Sequence, residues 1–353
     1  MEGFKMSLLL LGILFIAIPS SYGVSVSCMM AYDEGGISSV LESPECSEWV
    51  LSTGSLQNKT VNCQSATLQG HREYQEDRIL CHLDLKIPRL GKNGLEEGTV
   101  GVMAVFDGHG GKEASEMASK LLLDYLYMHA LFNSYKLMTQ HKGVLPVTDE
   151  MHLNISKEAL LRTIHDIDFK FSQEAFQKKI YSGSTAAVAL LVDGKILIAN
   201  VGDSKALLCN KKTWSGKLTT SLSATILTKD HHPDRDDERA RIQAAGGSVV
   251  NVYGVHRVSG ILAMSRAIGD VYLKRFGLIA EPEVTGWQPL DANDRFLVLS
   301  SDGIFESLTP QDVCDLIHDS SSCSPSSSLA ECILNTALVK GSRDNLSIIL
   351  VPL

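Results

Sequence analysis

Acidic residues stand at the ends of three apolar runs in this chain. Asp107-Gly108-His109 follows the run 100–106, Asp302-Gly303 follows 296–301, and Asp344-Asn345 precedes 346–351. Apolar runs of this length with β-branched residues predict buried strands. Asp-Gly alone is a common turn signal. Three carboxylates at three strand ends predict one shared edge of a sheet, and therefore a cation site.

Three more acidic residues, Glu76, Asp77 and Asp203, lie near predicted turns. Burying so many carboxylates together is prohibitive unless cations neutralise them. Oxygen ligands without Cys or His favour Mg²⁺ or Mn²⁺ over zinc. Two such ions a few ångströms apart can lower the pKa of a water and clamp a phosphoryl group. The acidic residues are therefore consistent with hydrolysis of a phosphate ester.

Phosphate-ester hydrolysis also needs a cation for the phosphate oxygens and an acid for the leaving alkoxide. Arg72 and His109 are suited to these two roles. Each residue also has a purely structural interpretation: a cap or turn for the carboxylates, and a surface ion pair for Arg72. The structural interpretation carries most weight for Asp203, which lies in a turn between two predicted strands.

The elements that must position these residues are strands and helices in separate runs. Apolar residues recur at helical spacing over 114–126 and again over 160–175, and a polar connection over 133–154 is predicted between the two helices. Strands return after residue 185. Such runs predict an α+β fold of packed sheets with flanking helices rather than alternating βαβ units. No composition break divides residues 60–353, so we expect a single domain.

The N-terminus differs from the rest of the chain. Met6 to Ile18 is an uncharged apolar block preceded by Lys5, too short for a comfortable membrane span but typical of a secretory signal. We therefore expect a signal peptide or signal anchor over 1–23, with a buried N-terminal helix as the alternative. Residues 24–58, rich in Ser, Gly and acids, predict a flexible leader, and 59–353 the catalytic domain.

Composition bears on the partners of the protein and on the state of its cysteines. A formal net charge of −9 argues against a broad nucleic-acid interface, which needs clustered basic residues. The 8 cysteines form no C-x-x-C pair, and their even number is compatible both with disulfides and with small buried thiols. We expect a monomer.

Taken in order, the motifs resemble the metal-dependent serine/threonine protein phosphatases of type 2C, and most closely the plant members. The resemblance covers nearly everything from residue 60 onward. It rests on Gly70-x-Arg72-x-x-x-Glu76-Asp77, Asp107-Gly108-His109-Gly110-Gly111, Ser182-Gly183-Ser184-Thr185-Ala186, Val201-Gly202-Asp203-Ser204-Lys205-Ala206, Asp230-His231-His232-Pro233, Arg257-Val258-x-Gly260 through Ser265-Arg266-Ala267-x-Gly269-Asp270, Glu281-Pro282-Glu283-Val284, Ser301-Asp302-Gly303 and Asp344-Asn345.

The resemblance implies a central sandwich of two antiparallel sheets flanked by pairs of helices, with two Mg²⁺ or Mn²⁺ ions at one end and a third held more weakly. It implies phosphorylated proteins as substrates. By motif, Asp107 would bridge the two ions, the Gly108 carbonyl would bind one, and Asp302 and Asp344 the other. Glu76 and Asp77 would hold metal-bound waters, Asp203 would serve the third ion, Arg72 the substrate phosphate, and His109 would be the general acid.

One departure from the family pattern concerns regulation. Plant hormone co-receptors of this family carry a Trp just upstream of the Arg-Val-x-Gly motif, where this chain has Asn251-Val252-Tyr253-Gly254-Val255-His256. Control by a hormone receptor of that type is therefore not expected. The alternative functions are a catalytically silent relative that binds phosphoproteins, and an acidic cation-binding protein without catalysis.

The expected location is the secretory pathway or a membrane, with the cytoplasm as the alternative. Three glycosylation sequons begin at Asn58, Asn154 and Asn345. The third conflicts with a lumenal enzyme, because Asn345 lies inside the predicted metal motif.

Overall fold

The structure, a computed structural model, describes residues 24–46, 63–91, 94–140, 148–214, 217–319, 321, 323–324 and 326–353. Its strands are β1 (Gln64–Leu68), β2 (Arg78–Gly91), β3 (Gly94–Phe106), β4 (Gly108–His109), β5 (Gly183–Ser184), β6 (Ala186–Val192), β7 (Lys195–Val201), β8 (Lys205–Trp214), β9 (Lys217–Ile226), β10 (Val249–Val252), β11 (Val255–Val258), β12 (Ile268–Gly269), β13 (Glu283–Val284), β14 (Gln288–Pro289), β15 (Asp294–Ser300) and β16 (Leu346–Pro352). Its helices are α1 (Val26–Glu42), α2 (Glu113–Gln140), α3 (Asp149–Lys178), α4 (Asp236–Ala244), α5 (Val271–Lys274), α6 (Pro310–His318) and α7 (Leu329–Val339).

Two antiparallel sheets form the centre of the molecule. One has the strand order β1-β16-β15-β8-β9 and the other β13-β7-β6-β3-β2, with β14 also paired to β7. Apolar side chains from both sheets meet between them, among them Met103 and Ile198 from one sheet and Leu297 and Ile349 from the other. The two sheets therefore pack face to face as a sandwich.

Helices cover the outer face of each sheet. Leu122 of α2 and Leu160 of α3 share a buried cluster with Val188 of β6. On the opposite side, Val313 of α6 and Ile333 of α7 pack with residues of β15 and β16. The predicted α+β sandwich with flanking helix pairs, in a single domain, is confirmed.

The two long helices extend further than the sequence predicts. Instead of a polar connection over 133–154, α2 continues to Gln140 and α3 begins at Asp149. Residues 133–140 contain no Gly or Pro, so nothing in the backbone stops α2 there. Thr148 caps α3 by accepting a hydrogen bond from the backbone N–H of Met151.

The predicted flexible leader is helical over much of its described part. Residues 26–42 form α1, with Tyr32, Ile37 and Val40 buried, and α1 packs against α2 and α3. The backbone of Gly35 and Gly36 interrupts the helix, with φ values of −153° and 66°. This interruption breaks the helical periodicity, which explains why the sequence pattern resembles a leader. Residues 47–58 lie outside the described part of the chain.

All eight cysteines are paired in disulfides. The pairs are Cys28–Cys46, Cys63–Cys81, Cys209–Cys314 and Cys323–Cys332. The sequence left disulfides and buried thiols open, and the structure places every sulfur in a bond.

The predicted signal segment, 1–23, lies outside the described residues. Among the helices that the structure does describe, none is both long enough and apolar enough to span a membrane.

Candidate active site

The predicted site residues meet at one end of the sandwich. The end of β3 faces the start of β2, since Phe106 pairs with Arg78, and the end of β15 faces the start of β16, since Ser300 pairs with Ile348. Antiparallel pairing thus brings residues just before one strand beside residues just after its neighbour. The acidic residues that share this end are Glu76, Asp77, Asp107, Asp203, Asp302 and Asp344.

Burial and mutual repulsion change the protonation of this carboxylate cluster. Burial, aided by the charge of Asp344, raises the pKa of Asp77 to about 6. Burial, aided by the charges of Asp203, Asp344 and Asp77, raises that of Asp302 to about 7. Burial followed by four neighbouring Asp charges raises the pKa of Asp107 well above its ordinary value. The cluster is too crowded to carry all its negative charges without counter-ions.

The carboxylate cluster fits divalent cations in its donor chemistry. Both carboxylate oxygens of Asp77 and Oδ1 of Asp203 are buried without a hydrogen-bond partner. Unpaired buried carboxylate oxygens are costly, and hard cations such as Mg²⁺ and Mn²⁺ are their natural partners. Within the part of the chain that the structure describes, no three His, Cys, Asp or Glu side chains already have the arrangement of a finished metal site.

Arg72 lies at the exposed edge of the carboxylate cluster. Its Nη2 is 2.6 Å from Oδ2 of Asp344, and 58% of its side chain is exposed. An exposed ion pair of this kind is weak and readily exchanged. Arg72 is therefore free to exchange Asp344 for another anion.

Asn345 holds the loop that carries Arg72, Glu76 and Asp77. Its Oδ1 accepts the backbone N–H of Glu76 at 2.8 Å, and its Nδ2 donates to the carbonyls of Gln69 and Tyr74 at 2.8 and 2.9 Å. The Asn345 side chain is buried, and both its amide oxygen and its amide nitrogen are hydrogen-bonded to this loop. Asn345 therefore ties the start of β16 to the loop before β2.

His109 belongs to a short sheet beside the carboxylate cluster. The strands β4, β5 and β12 pair in the order β12-β5-β4, with His109 opposite Gly183. The Nε2 atom of His109 lies 2.7 Å from Oδ2 of Asp270. Burial alone would lower the pKa of His109, but the hydrogen bond and charge of Asp270, with smaller contributions from Asp203 and Glu76, raise it above its ordinary value.

Backbone contacts fix the turns around the cluster. The N–H of Asp107 donates to Oγ1 of Thr185 at 3.0 Å, and that hydroxyl also contacts Oγ of Ser204 at 2.7 Å. Oε1 of Glu76 accepts the N–H of Gly111 at 2.8 Å. A Cβ on Gly108 would overlap the carbonyl of Glu76, so this position requires glycine. These contacts hold together the turns that carry Glu76, Asp107 and Ser204.

Comparison with known proteins settles the family. The model of the family "Protein phosphatase 2C" matches residues 61–346. The chain belongs to the protein phosphatase 2C family. The predicted resemblance is thereby confirmed, and the chain is a protein phosphatase by family.

Plant proteins are prominent among the relatives of this 2C phosphatase. "Probable protein phosphatase 2C 51" of Arabidopsis thaliana is 41% identical, over 99% of this chain and 83% of the relative. A relative from Oryza sativa subsp. japonica, designated protein phosphatase 2C 76, is 41% identical over 94% of this chain and 85% of its own length. The crystal structure of serine-threonine phosphatase 2C from Toxoplasma gondii shares the fold, with a TM-score of 0.68 at 23% identity, covering 82% of this chain and 94% of that one.

The structure brings together all the site residues that the sequence predicts in this 2C phosphatase. Their roles as ligands, phosphate binder and acid remain predictions. Two contributors had no role assigned from sequence: Asp270, which contacts His109, and Asn345, which braces the Arg72 loop. Both lie within recognised motifs, and motif position was their only signal, because each acts on a residue far away in the chain.

Proposed function

We propose that this 2C phosphatase hydrolyses phosphoserine and phosphothreonine in proteins, using divalent Mg²⁺ or Mn²⁺. The observation that supports the proposal is the crowded, partly buried carboxylate cluster flanked by Arg72 on one side and His109 on the other. A cation-loaded cluster beside an arginine and an imidazole suits attack of water on a phosphate ester.

Each residue has a distinct task in this proposal. Asp107, the Gly108 carbonyl, Asp302 and Asp344 would hold two ions, Glu76 and Asp77 would hold waters bound to them, and Asp203 would hold a weaker third ion. When bound, the ions would neutralise the carboxylates and make a metal-bound water more acidic.

Arg72 and His109 would handle the substrate. The Arg72 guanidinium exchanges its bond to Asp344 for the phosphate oxygens, whose charge and fork-like geometry it matches. His109 gives a proton to the serine or threonine alkoxide as it leaves, so the products are the free hydroxyl and inorganic phosphate.

The test is hydrolysis of a phosphothreonine peptide by the full chain, with Mn²⁺ and with EDTA. We expect turnover only with the metal, and Asp302→Asn should abolish it at any practical Mn²⁺ concentration. Circular dichroism should show that Asp302→Asn still folds, since losing one carboxylate relieves repulsion. Turnover in EDTA, or near-normal kcat in Asp302→Asn, would contradict the two-metal assignment. Peptide binding without turnover would favour the silent, phosphoprotein-binding alternative.

We also propose that this chain folds in the secretory pathway. Four disulfides support an oxidising compartment, because cytosolic thiols are kept reduced. The apolar segment from Met6 to Ile18 supports entry to that compartment. In native cells, removing residues 1–23 should shift the protein from the membrane and medium fractions to the cytosol. Full-length protein that is cytosolic and fully reduced would contradict this location without affecting the phosphatase proposal.

A further inference from the structure

The proposed general acid is held by a carboxylate that has no other assigned task. His109 Nε2 lies 2.7 Å from Asp270 Oδ2, and the Asp270 side chain is completely buried. The other ring nitrogen, Nδ1, is buried and has no hydrogen-bond partner among the described residues. Because Asp270 occupies Nε2, the ring can turn only by breaking this bond.

Asp270 is itself fixed in an unusual backbone conformation. Its φ of 45° lies in the left-handed region, which residues other than Gly, Asn and Asp seldom adopt. Its N–H donates to the carbonyl of Ser182 at 3.2 Å, and the hydroxyl of Tyr272 donates to its Oδ1 at 3.3 Å. The bond to Ser182 therefore fixes the backbone of Asp270, and the bond from Tyr272 fixes its carboxylate.

The short three-stranded sheet leaves space for the bond between His109 and Asp270. Gly183 of β5 stands between His109 of β4 and Gly269 of β12. A Cβ on Gly183 would overlap the Asp270 carboxylate. The contact between His109 and Asp270 thus depends on a glycine where the three strands meet.

Asp168 of α3 anchors the same loop without touching His109. Its Oδ1 accepts the N–H of Gly269 at 2.8 Å and lies 2.9 Å from Nζ of Lys274. Asp168 therefore supports the loop around Asp270, and it provides a matched control for any effect that comes from the loop alone.

We infer that Asp270 is the positioning residue of the acid step: it holds the imidazole of His109 so that Nδ1 faces the leaving oxygen of the substrate. The inference rests on the proposed function, and it assigns the leaving-group side of the site to His109, Asp270 and Tyr272. An ionised carboxylate can only accept, so it keeps a proton on Nε2 and fixes the orientation of the ring. The proton that reaches the alkoxide then comes from Nδ1.

The test compares Asp270→Asn and Asp168→Asn on two substrates, a phosphothreonine peptide and an activated aryl phosphate. An Asn amide can either donate to Nε2 or accept from it, so it no longer fixes the tautomer. We expect Asp270→Asn to lower kcat on the peptide by about 10-fold or more, with a smaller loss on the aryl ester, which leaves without a proton. KM should change little. Asp168→Asn should affect both substrates equally.

A double variant tests whether Asp270 acts through His109 or independently of it. If Asp270 acts through His109, adding Asp270→Asn to His109→Ala should cost little further peptide activity. A full additional loss in the double variant, or equal losses of Asp270→Asn on both substrates, would overturn the inference. A wild-type chain that hydrolyses neither substrate would instead overturn the proposed function. Thermal melts check that each variant folds.

Discussion

At the scale of the residue, the two groups proposed to handle substrate are held very differently. Arg72 is exposed and makes one ion pair with Asp344, whereas His109 is held by a completely buried Asp270. A group that must capture an incoming phosphate benefits from freedom to move. A group that must give a proton to one atom benefits from a fixed orientation.

Replacing His109 tests whether this residue gives a proton to the leaving group. A serine alkoxide leaves poorly without a proton, whereas an aryl phosphate leaves readily. His109→Ala should therefore lose about 100-fold or more in kcat on phosphopeptides, and much less on an activated aryl phosphate. Steady-state kinetics on both substrates measure the difference. Equal losses on both would leave His109 with a structural role only.

At the scale of the element, the site is a consequence of antiparallel strand pairing. The ends of β3 and β15 and the starts of β2 and β16 lie at one pole because each end faces the start of its partner. Burial of the acidic turns there, aided by their close approach to one another, raises the pKa values of Asp77 and Asp302. Cations bound at this end of the sandwich would relieve that cost.

The carboxylate cluster should make the metal-free protein less stable as pH rises. The folded pKa of Asp302, about 7, lies above its ordinary 3.8, so the folded state binds a proton that the unfolded chain releases. This stabilisation is full below pH 3.8 and is lost as pH rises through 7. In EDTA, Asp302→Asn should therefore stabilise the protein relative to wild type at pH 8, by on the order of 2 kcal/mol, and less at pH 5.5.

Urea unfolding of both proteins at both pH values measures this prediction. The comparison with Asp302→Asn is needed because burial lowers the pKa of His231 to about 4, which favours unfolding in acid. A variant whose stability relative to wild type does not depend on pH would contradict the prediction. Saturating Mn²⁺ should restore wild-type stability at pH 8.

Helix α1 depends on a buried polar contact as well as on apolar packing. The hydroxyl of Tyr32 lies 2.9 Å from Nδ1 of His129 and donates to Oδ1 of Asn133 at 3.0 Å. Beyond them, Nε2 of His129 is 3.3 Å from Asp166. This chain of side chains joins α1 to both long helices.

Removing one hydroxyl should weaken that attachment. Tyr32→Phe leaves Nδ1 of His129 and Oδ1 of Asn133 without their hydrogen-bond partner, so the free energy of unfolding should fall by about 1–2 kcal/mol. Denaturant titration measures the free energy of unfolding of each variant. Tyr253→Phe is the control, because Tyr253 stands fully exposed at the turn between β10 and β11, and it should change nothing. Equal stability of the two variants would show that α1 is not held by this contact.

At the scale of the whole molecule, disulfides tie together parts that are distant in the chain. Cys209 of β8 is joined to Cys314 of α6 across 105 residues. Cys28 and Cys46 close the α1 segment, and both are buried. If the chain folds in the secretory pathway, these bonds form during folding, and the sequons meet the glycosylation machinery in the same compartment.

The sequons at Asn154 and Asn345 should behave oppositely in secreted protein. Asn154 is exposed on α3, whereas Asn345 is buried with its amide bonded to three backbone groups. A glycan is compatible with the fold at Asn154 and incompatible with it at Asn345. We expect Asn154→Gln to remove a mass released by peptide N-glycosidase, and peptide mapping to find Asn345 unmodified. Folded, active protein with a glycan on Asn345 would contradict the structure of this loop.

The sequence by itself determined the family, the α+β class and the acidic turns at strand ends. These follow from local signals, because an apolar run that ends in Asp-Gly predicts a strand and its turn without any distant contact. The polar connection over 133–154 and the leader over 24–58 show the limit of such signals. A polar stretch without Gly or Pro continued helix α2, and the glycine-interrupted leader became helix α1 because its apolar residues pack against α2 and α3.

Only the tertiary structure decided the pairing of eight cysteines, the docking of α1, and the partners of His109 and Glu76. His109 and Asp270 are 161 residues apart, and Asn345 and Glu76 are 269 apart. No local periodicity records such a contact, since it depends on which strands become neighbours in the sheet. The sequence thus supplied the chemical groups, and strand pairing determined which of them meet.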